Sequence, residues 1–242
     1  MECVYKKPES MKKVPTPYCA GCHHGIAQKL ILEVIDEMNI REKVVWAAAV
    51  GCNGMSSFFV NTDSLNSQHG RCSAAAAAFK QVSPESIMIC YQGDGDAAAI
   101  GTAESVHAAR RGEPITVIFA NNTMFSMTGG QMAPTTLKGQ KTKTSVNGSD
   151  FQPLHFAELI GTIDGADYVT RCAVNNPKNI MNFKKAVRHA IECQLAGKYA
   201  FVEVLTACIV SGGISPKKSI EYIDELTKVF PLGDIKRDGR HV

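Results

Sequence analysis

The tripeptide Gly93-Asp94-Gly95 and the pair Asn121-Asn122, separated by residues 96–120, offer a carboxylate and an amide that could share one hard cation. Mg²⁺ takes oxygen ligands and usually bridges them to substrate phosphates, so an acid and an amide brought to one edge read as a diphosphate site. The surrounding text supplies the elements that bring them there. Ile87-Met88-Ile89-Cys90-Tyr91 is a short apolar run that reads as a buried strand. Small residues from about Ala97 to Arg111 read as a helix, ended by Gly112 with Pro114 just beyond. A second strand, Ile115 to Phe119, runs into the asparagines. A βαβ unit of this kind sets Asp94 and Asn122 at adjacent strand ends, beside a helix N-terminus whose free N–H groups suit a phosphate.

Four of the nine cysteines also have chemistry in their placement. Cys19 and Cys22 form a CxxC just before a helix; Cys52 follows a strand read over Val44 to Val50; Cys208 follows another over Ala200 to Leu205. Strand C-termini of a parallel sheet share one edge, so Cys52 and Cys208 point toward the edge of Asp94 and Asn122. Four thiolates there could hold a [4Fe–4S] cluster or a zinc ion, and spacing alone does not separate the two. A thioredoxin-type redox pair is a poorer fit, because the CxxC follows no clear strand and Cys52 and Cys208 would be left over. Cys3, Cys72, Cys90, Cys172 and Cys193 have no ligand-like spacing, and Cys90 and Cys193 read as small buried hydrophobes. In the reducing compartment expected for this chain, an odd count argues against a disulfide framework.

The remaining text reads as scaffold. Ile26, Leu30, Val34 and Met38 make one apolar face on a helix after His24, and Ile180, Phe183, Val187 and Ile191 make another on a helix opening near Pro177. A short helix begins at His155, and the alanines 74–78 suggest close helix packing. Strands alternating with helices predict an α/β fold with a doubly wound, mostly parallel sheet, residues 1–242 forming a single domain. Residues 123–150 lack periodicity and read as a cover over the site and part of a partner interface. From about residue 211 the chain turns polar; a short helix over Ser219–Val229 and then an arm, packed on a neighbour or frayed, are expected.

With 45% apolar and 20% charged residues and a net charge of +3, the chain reads as globular, with no basic stripe for nucleic acid. The uncharged stretch Val44 to Thr62 is too polar to span a bilayer, and the N-terminal lysines precede no apolar run, so a cytoplasmic protein is expected.

The segment YQGDGDAAAIGTAESVHAARRGEPITVIFANNTMFSMTGGQMAPTT, with GDG and NN at this interval, resembles the thiamine diphosphate fingerprint of the β subunit of 2-oxoacid:ferredoxin oxidoreductases, and the resemblance runs from about Tyr18 to Gly213. It implies a thiamine diphosphate-binding fold of the pyrophosphate type. Asp94, Asn122 and the backbone carbonyl of Met124 would then be Mg²⁺ ligands, with Gly51, Gly93, Gly95 and Asp96 around the cofactor. It also implies a [4Fe–4S] cluster on Cys19, Cys22, Cys52 and Cys208. This chain departs from the family's CPGCG in reading Cys19-Ala20-Gly21-Cys22-His23, and from its CPT-like turn in reading Ile209-Val210-Ser211 after Cys208. His69-Gly70-Arg71 resembles an HGR stretch near the cofactor, where His69 and Arg71 would serve a phosphate or substrate carboxylate, or cap the next helix.

The implied activity is oxidative decarboxylation of a 2-oxoacid to an acyl-coenzyme A and carbon dioxide, with electrons passed through the cluster to ferredoxin. The family supplies the glutamate that activates the cofactor from another subunit, and no candidate stands out here beyond Glu104; α-, γ- and δ-type partner subunits are therefore expected. Relatives acting on acidic substrates carry a lysine where Met55 and Phe58-Phe59-Val60 stand, which points to an apolar, branched-chain 2-oxoacid. A cluster-free thiamine diphosphate decarboxylase or carboligase subunit, and a non-catalytic zinc-binding assembly protein, are the alternative classes.

Overall fold

The computed structural model describes residues 5–242, so Cys3 lies outside the described residues. The elements run α1 (His23–Glu37), β1 (Val44–Ala48), β2 (Asp63–Asn66), α2 (Cys72–Val82), β3 (Ile87–Gly93), α3 (Thr102–Arg110), β4 (Thr116–Asn121), β5 (Met124–Phe125) and β6 (Gln131–Met132). They continue as α4 (Phe156–Gly161), β7 (Ala166–Ala173), α5 (Pro177–Leu195), β8 (Tyr199–Leu205), α6 (Ile209–Gly212), α7 (Pro216–Val229), β9 (Gly233–Arg237) and β10 (Arg240–His241).

One eight-stranded sheet, ordered β10-β9-β7-β8-β4-β3-β1-β2, forms the middle layer. Its pairs from β2 to β7 are parallel, while β9 and β10 add antiparallel. Parallel strands are buried on both faces, which explains their near-continuous apolar runs. Side-chain alternation then sorts them. Val44, Trp46, Ile89, Tyr91, Ile118 and Val202 pack under α1 and α5. Val45, Met88, Cys90, Val117, Phe119 and Phe201 pack under α2, α3 and α4 on the other face. Pro177 in the first turn and Asn176, whose side chain accepts from Asn179 N, start α5 where the sequence places it.

The chain winds from β1 outward to β2 and then crosses back to β3, so the order reverses between β1 and β3. In open α/β sheets such a switch point opens a crevice at the strand C-termini. Gly51 and Cys52 follow β1 there, Asp94 follows β3, and Asn122 follows β4.

Four expectations change. The helix after Gly93-Asp94-Gly95 is not continuous: residues Gly95–Ile100 form one π turn, closed by Gly101 N–H donating to the Asp96 carbonyl at 2.8 Å, before α3 starts. Ile26 is on the exposed side of α1, whereas Leu30 and Val34 are core and Met38 packs against it. Phe59 and Val60 join the core with Met11, leaving Phe58 exposed. The polar segment after residue 211 is no loose arm: α7 buries Ile223 and Leu226 against Ala173 and Leu205, and β9 pairs with β7. No helix among the described residues is long and apolar enough to cross a membrane.

Candidate cofactor and metal site

Asp94 ends β3 almost fully buried, and its carboxylate is ringed by donors. Gly95 N donates to Oδ1 at 2.7 Å; Asn122 N, Met124 N and Thr135 Oγ1 donate to Oδ2 at 3.2, 3.1 and 3.0 Å. Burial nonetheless pushes this carboxyl up to about 6, against the pull of those hydrogen bonds. No lysine or arginine is among the residues lining the cleft at this edge. A buried anion held only by neutral donors is a site that a cation would stabilise. Asn122 lies beside it, its Oδ1 accepting from Ser126 Oγ at 3.0 Å. The acid and amide expected to share a metal are thus brought together, and the donor set fits Mg²⁺.

The cleft, about 90 Å³, is lined by Gly51, Cys52, Gly93, Asp94, Gly95 and Asp96 from one side and Asn122, Met124 and Phe125 from the other. Every expected cofactor-binding residue therefore faces it. Gly95 is required where it stands: a Cβ there would lie 2.3 Å from the Phe125 ring. A larger cavity, about 590 Å³, lies far from this chemistry against the N-terminal segment and α1.

His69 also lines the cleft, its Nδ1 2.7 Å from Asp96 Oδ1. Asp96 is buried, accepts from Gly70 N and Gln92 Nε2, and Gln92 in turn accepts from Ser73. Arg71, expected beside His69, does not line the cleft. Its guanidinium turns to Glu104 at 2.6 Å and to the Ile100 carbonyl, because residue 71 caps α2 on the outer side. The same pair accounts for Glu104, which is held on the flank of α3 away from the cleft.

The sequence reading missed three contributors. His24 lines the cleft, hydrogen-bonded through Nδ1 to Tyr91 Oη at 2.7 Å and stacked on Tyr18, and burial pushes it down to about 4, so it is a neutral ring at pH 7. Asn53 donates to the Tyr91 carbonyl. Thr135 reaches Asp94 from far along the covering loop, and no local signal marks it. That loop, residues 123–150, does cover the site: β5 and β6 form a small ribbon, and Thr135 and Thr136 are buried beneath it.

Of the four cysteines, Cys52 lines the cleft. Burial pushes Cys22 up to about 11 and Cys52 up to about 12; Cys208 and Cys19 add to both, and Cys22 adds to Cys52. The thiols are thus within electrostatic reach of one another, though no three His, Cys, Asp or Glu groups among the described residues are gathered as a ready single-ion site. Gly21 makes the convergence possible: at φ +83° it packs under Ile209 and Pro216, whose atoms a Cβ would meet at 2.7 and 2.8 Å. Cys208 Sγ accepts from Ser211 N at 3.4 Å and caps α6. Cys72, Cys90, Cys172 and Cys193 are buried away from the group.

Residues 43–204 match the family described as thiamine pyrophosphate enzyme, C-terminal TPP binding domain. The ketoisovalerate oxidoreductase subunit VorA of Methanothermobacter thermautotrophicus is 38% identical over 96% of this chain and 52% of its own length. The 2-oxoglutarate synthase subunit KorB of Archaeoglobus fulgidus is 34% identical over 93% of this chain and 82% of its own. The chain thus spans about half the length of the ketoisovalerate relatives it matches. A solved 2-oxoglutarate:ferredoxin oxidoreductase from Magnetococcus marinus shares the fold with a TM-score of 0.80 at 23% identity, over 92% of this chain and 74% of that one. With the family matched across most of the parallel sheet, the chain belongs to the thiamine pyrophosphate enzymes, as a β subunit of the 2-oxoacid:ferredoxin oxidoreductase type.

Proposed function

We propose that residues 1–242 act as one thiamine diphosphate- and iron–sulfur-binding unit of an enzyme that oxidatively decarboxylates a 2-oxoacid to acyl-coenzyme A and carbon dioxide. The observation that carries the reading is the buried Asp94 carboxylate, facing Asn122 with neutral donors and no basic side chain around it. Asp94, Asn122 and the Met124 carbonyl would hold Mg²⁺, and Gly51, Gly93, Gly95 and Asp96 would lie against the diphosphate. When bound, thiamine diphosphate supplies the electron sink for loss of carbon dioxide. This chain's residues hold and dehydrate the site: His24 is kept neutral, and Asp96 orients His69 toward the cleft.

Cys19, Cys22, Cys52 and Cys208 are the proposed [4Fe–4S] ligands, passing electrons to ferredoxin. The thiols of Cys22 and Cys52, pushed up by burial, support it, since such sulfurs become thiolates only against a strongly positive centre. Zinc would need all four sulfurs at ~2.3 Å from one centre. The small size of the cleft, about 90 Å³, supports a site completed by α-, γ- and δ-type subunits.

The substrate reading shifts its footing, since Phe59 and Val60 are core. The apolar residues at the cleft are Val50, Met124, Phe125 and Met127. They support an apolar, branched-chain 2-oxoacid, as does the ketoisovalerate named for the VorA relatives. Assaying the assembled complex against pyruvate, 2-oxoglutarate, aryl and branched-chain 2-oxoacids tests it. Branched-chain acids should give the highest kcat/KM, and a preference for 2-oxoglutarate would refute this substrate reading.

A further inference from the structure

Asn122 and Met124 reach Asp94 through one strained residue. Thr123 has φ +65°, a left-handed conformation rarely tolerated by a β-branched side chain. On either side of it, Asn122 N and Met124 N both donate to Asp94 Oδ2. Such a residue persists only where its surroundings over-determine it.

Here they do. Thr123 N donates to Asn121 Oδ1 at 3.1 Å, and its carbonyl accepts from Thr136 Oγ1 at 2.6 Å. Its hydroxyl accepts from Gln140 Nε2 at 2.8 Å and lies 3.0 Å from Tyr222 Oη. Asn121 is itself fixed at the end of β4. Its Nδ2 donates to Glu203 Oε1 at 2.7 Å, and its carbonyl accepts from Thr206 N and Oγ1.

Behind Asn121 stands a chain of charges. Arg171 Nε donates to Glu203 Oε2 at 2.7 Å, and both residues are 1% exposed. The guanidinium grips Glu158 with two N–H groups and also donates to the Pro231 carbonyl. Burial pushes the Glu203 carboxyl up, with Arg171 and Asn121 pulling it back. A buried ion pair is often no more stabilising than apolar residues of similar size. Stability alone is therefore a weak account of three charges placed on the side of the site. The one Glu203 oxygen that Arg171 does not take is the oxygen that holds Asn121.

We propose that Asn121 and Glu203 are positioning residues for the metal-bearing turn: the Glu158–Arg171–Glu203 chain locks Asn121, and Asn121 locks Thr123 in the conformation that sets Asn122 and Met124 against Asp94. The inference rests on the metal–diphosphate reading of Asp94 and Asn122, and none of these residues touches the reacting atoms.

The test uses the complex purified through this chain, stripped of metal and refilled with manganese(II) and thiamine diphosphate. Free manganese is measured by electron paramagnetic resonance and stability by thermal melting. Thr123→Gly relieves the left-handed strain but gives up the hydroxyl bonds to Gln140 and Tyr222, so its melting temperature should move little, while its manganese dissociation constant should rise about tenfold, the usual size of an outer-shell effect. Glu203→Leu should weaken manganese comparably, and Glu203→Gln, which keeps an acceptor for Asn121, should restore most of the affinity. A purely structural role moves stability and affinity together. Wild-type affinity in Thr123→Gly overturns the inference, and that variant decides the matter if Glu203→Leu fails to fold. Asp94→Ala separates the two levels: unchanged manganese binding in it would overturn the metal reading itself, whereas its loss alongside normal binding in Thr123→Gly would overturn only the positioning.

Discussion

The Nδ1 of His69 lies 2.7 Å from Oδ1 of Asp96, and this contact decides which ring nitrogen is left for the cleft. The carboxylate oxygen, which also accepts from Gly70 N, faces Nδ1, so Nε2 is the ring nitrogen left for the cleft. Arg71, two residues on, is spent on Glu104. His69→Ala in the assembled complex should therefore lower kcat by roughly 10²-fold, the low end for a proton-handling side chain. Arg71→Ala should change kcat less than about twofold and cost at most ~1 kcal/mol, as partly exposed ion pairs do. Steady-state kinetics of both variants checks this, and equal losses would return Arg71 to the site.

Asp94→Ala should abolish thiamine diphosphate retention while the fold persists, because a methyl group cannot bridge Mg²⁺ to a phosphate. Cofactor content after gel filtration, with circular dichroism for the fold, reads both halves. The raised carboxyl adds a pH signature. In the metal-free chain an acid pushed up from 3.8 to about 6 favours the protonated folded state. Relative to Asp94→Asn, metal-free wild type should thus lose stability as pH rises from about 4 to about 6, and Mg²⁺ with the cofactor should reverse the loss at pH 7. A flat profile would show that Asp94 is not desolvated.

Cys208→Ser should lose iron and electron transfer, whereas Cys193→Ser should keep iron and cost at most ~1 kcal/mol of stability. The contrast follows from position. Cys208 caps α6 beside Cys22 and Cys52, while Cys193 is buried on α5 near His189. Iron analysis and visible absorbance of anaerobically purified variants decide it, and equal iron in both would sink the cluster assignment.

The isolated chain should show no 2-oxoacid-dependent reduction of a low-potential acceptor, since Glu104 is tied to Arg71 on the flank of α3 and lines no part of the cleft. Adding the partner subunits should restore turnover, with carbon dioxide and acyl-coenzyme A as products, and residues 123–150 should gain hydrogen-exchange protection on assembly. Robust turnover by the chain alone would mean that the activating glutamate lies on this chain.

The βαβ unit was legible in the sequence because each of its signals is local: an apolar run, a glycine turn, small helical residues, a second run. Asp94 and Asn122 then followed from strand ends sharing an edge. For the cysteines, the strands before Cys52 and Cys208 pointed to the cleft edge, and Cys52 lines the cleft. What could not be read depends on contacts across long separations. Thr135 meets Asp94 only after the loop folds back, and Arg71 turns outward only because Glu104 rises beside it. Glu203 stands alone in an apolar strand text, Tyr199 to Leu205, and its partner Arg171 stands in another. The C-terminal residues read as polar because β9 and β10 lie at the rim, where pairing to β7 is made by backbone groups that composition does not report.

That rim has a consequence for how copies of this chain keep apart. The sheet is bounded on one side by β2, four residues with Asp63, Ser64 and Asn66 facing water, and on the other by β10, a two-residue strand of Arg240 and His241. Short, polar, charged borders offer a poor template for another backbone to pair with. Despite a core built from some of the most β-prone text in the chain, the sheet ends in strands poorly suited to growing sideways into a continuous ribbon.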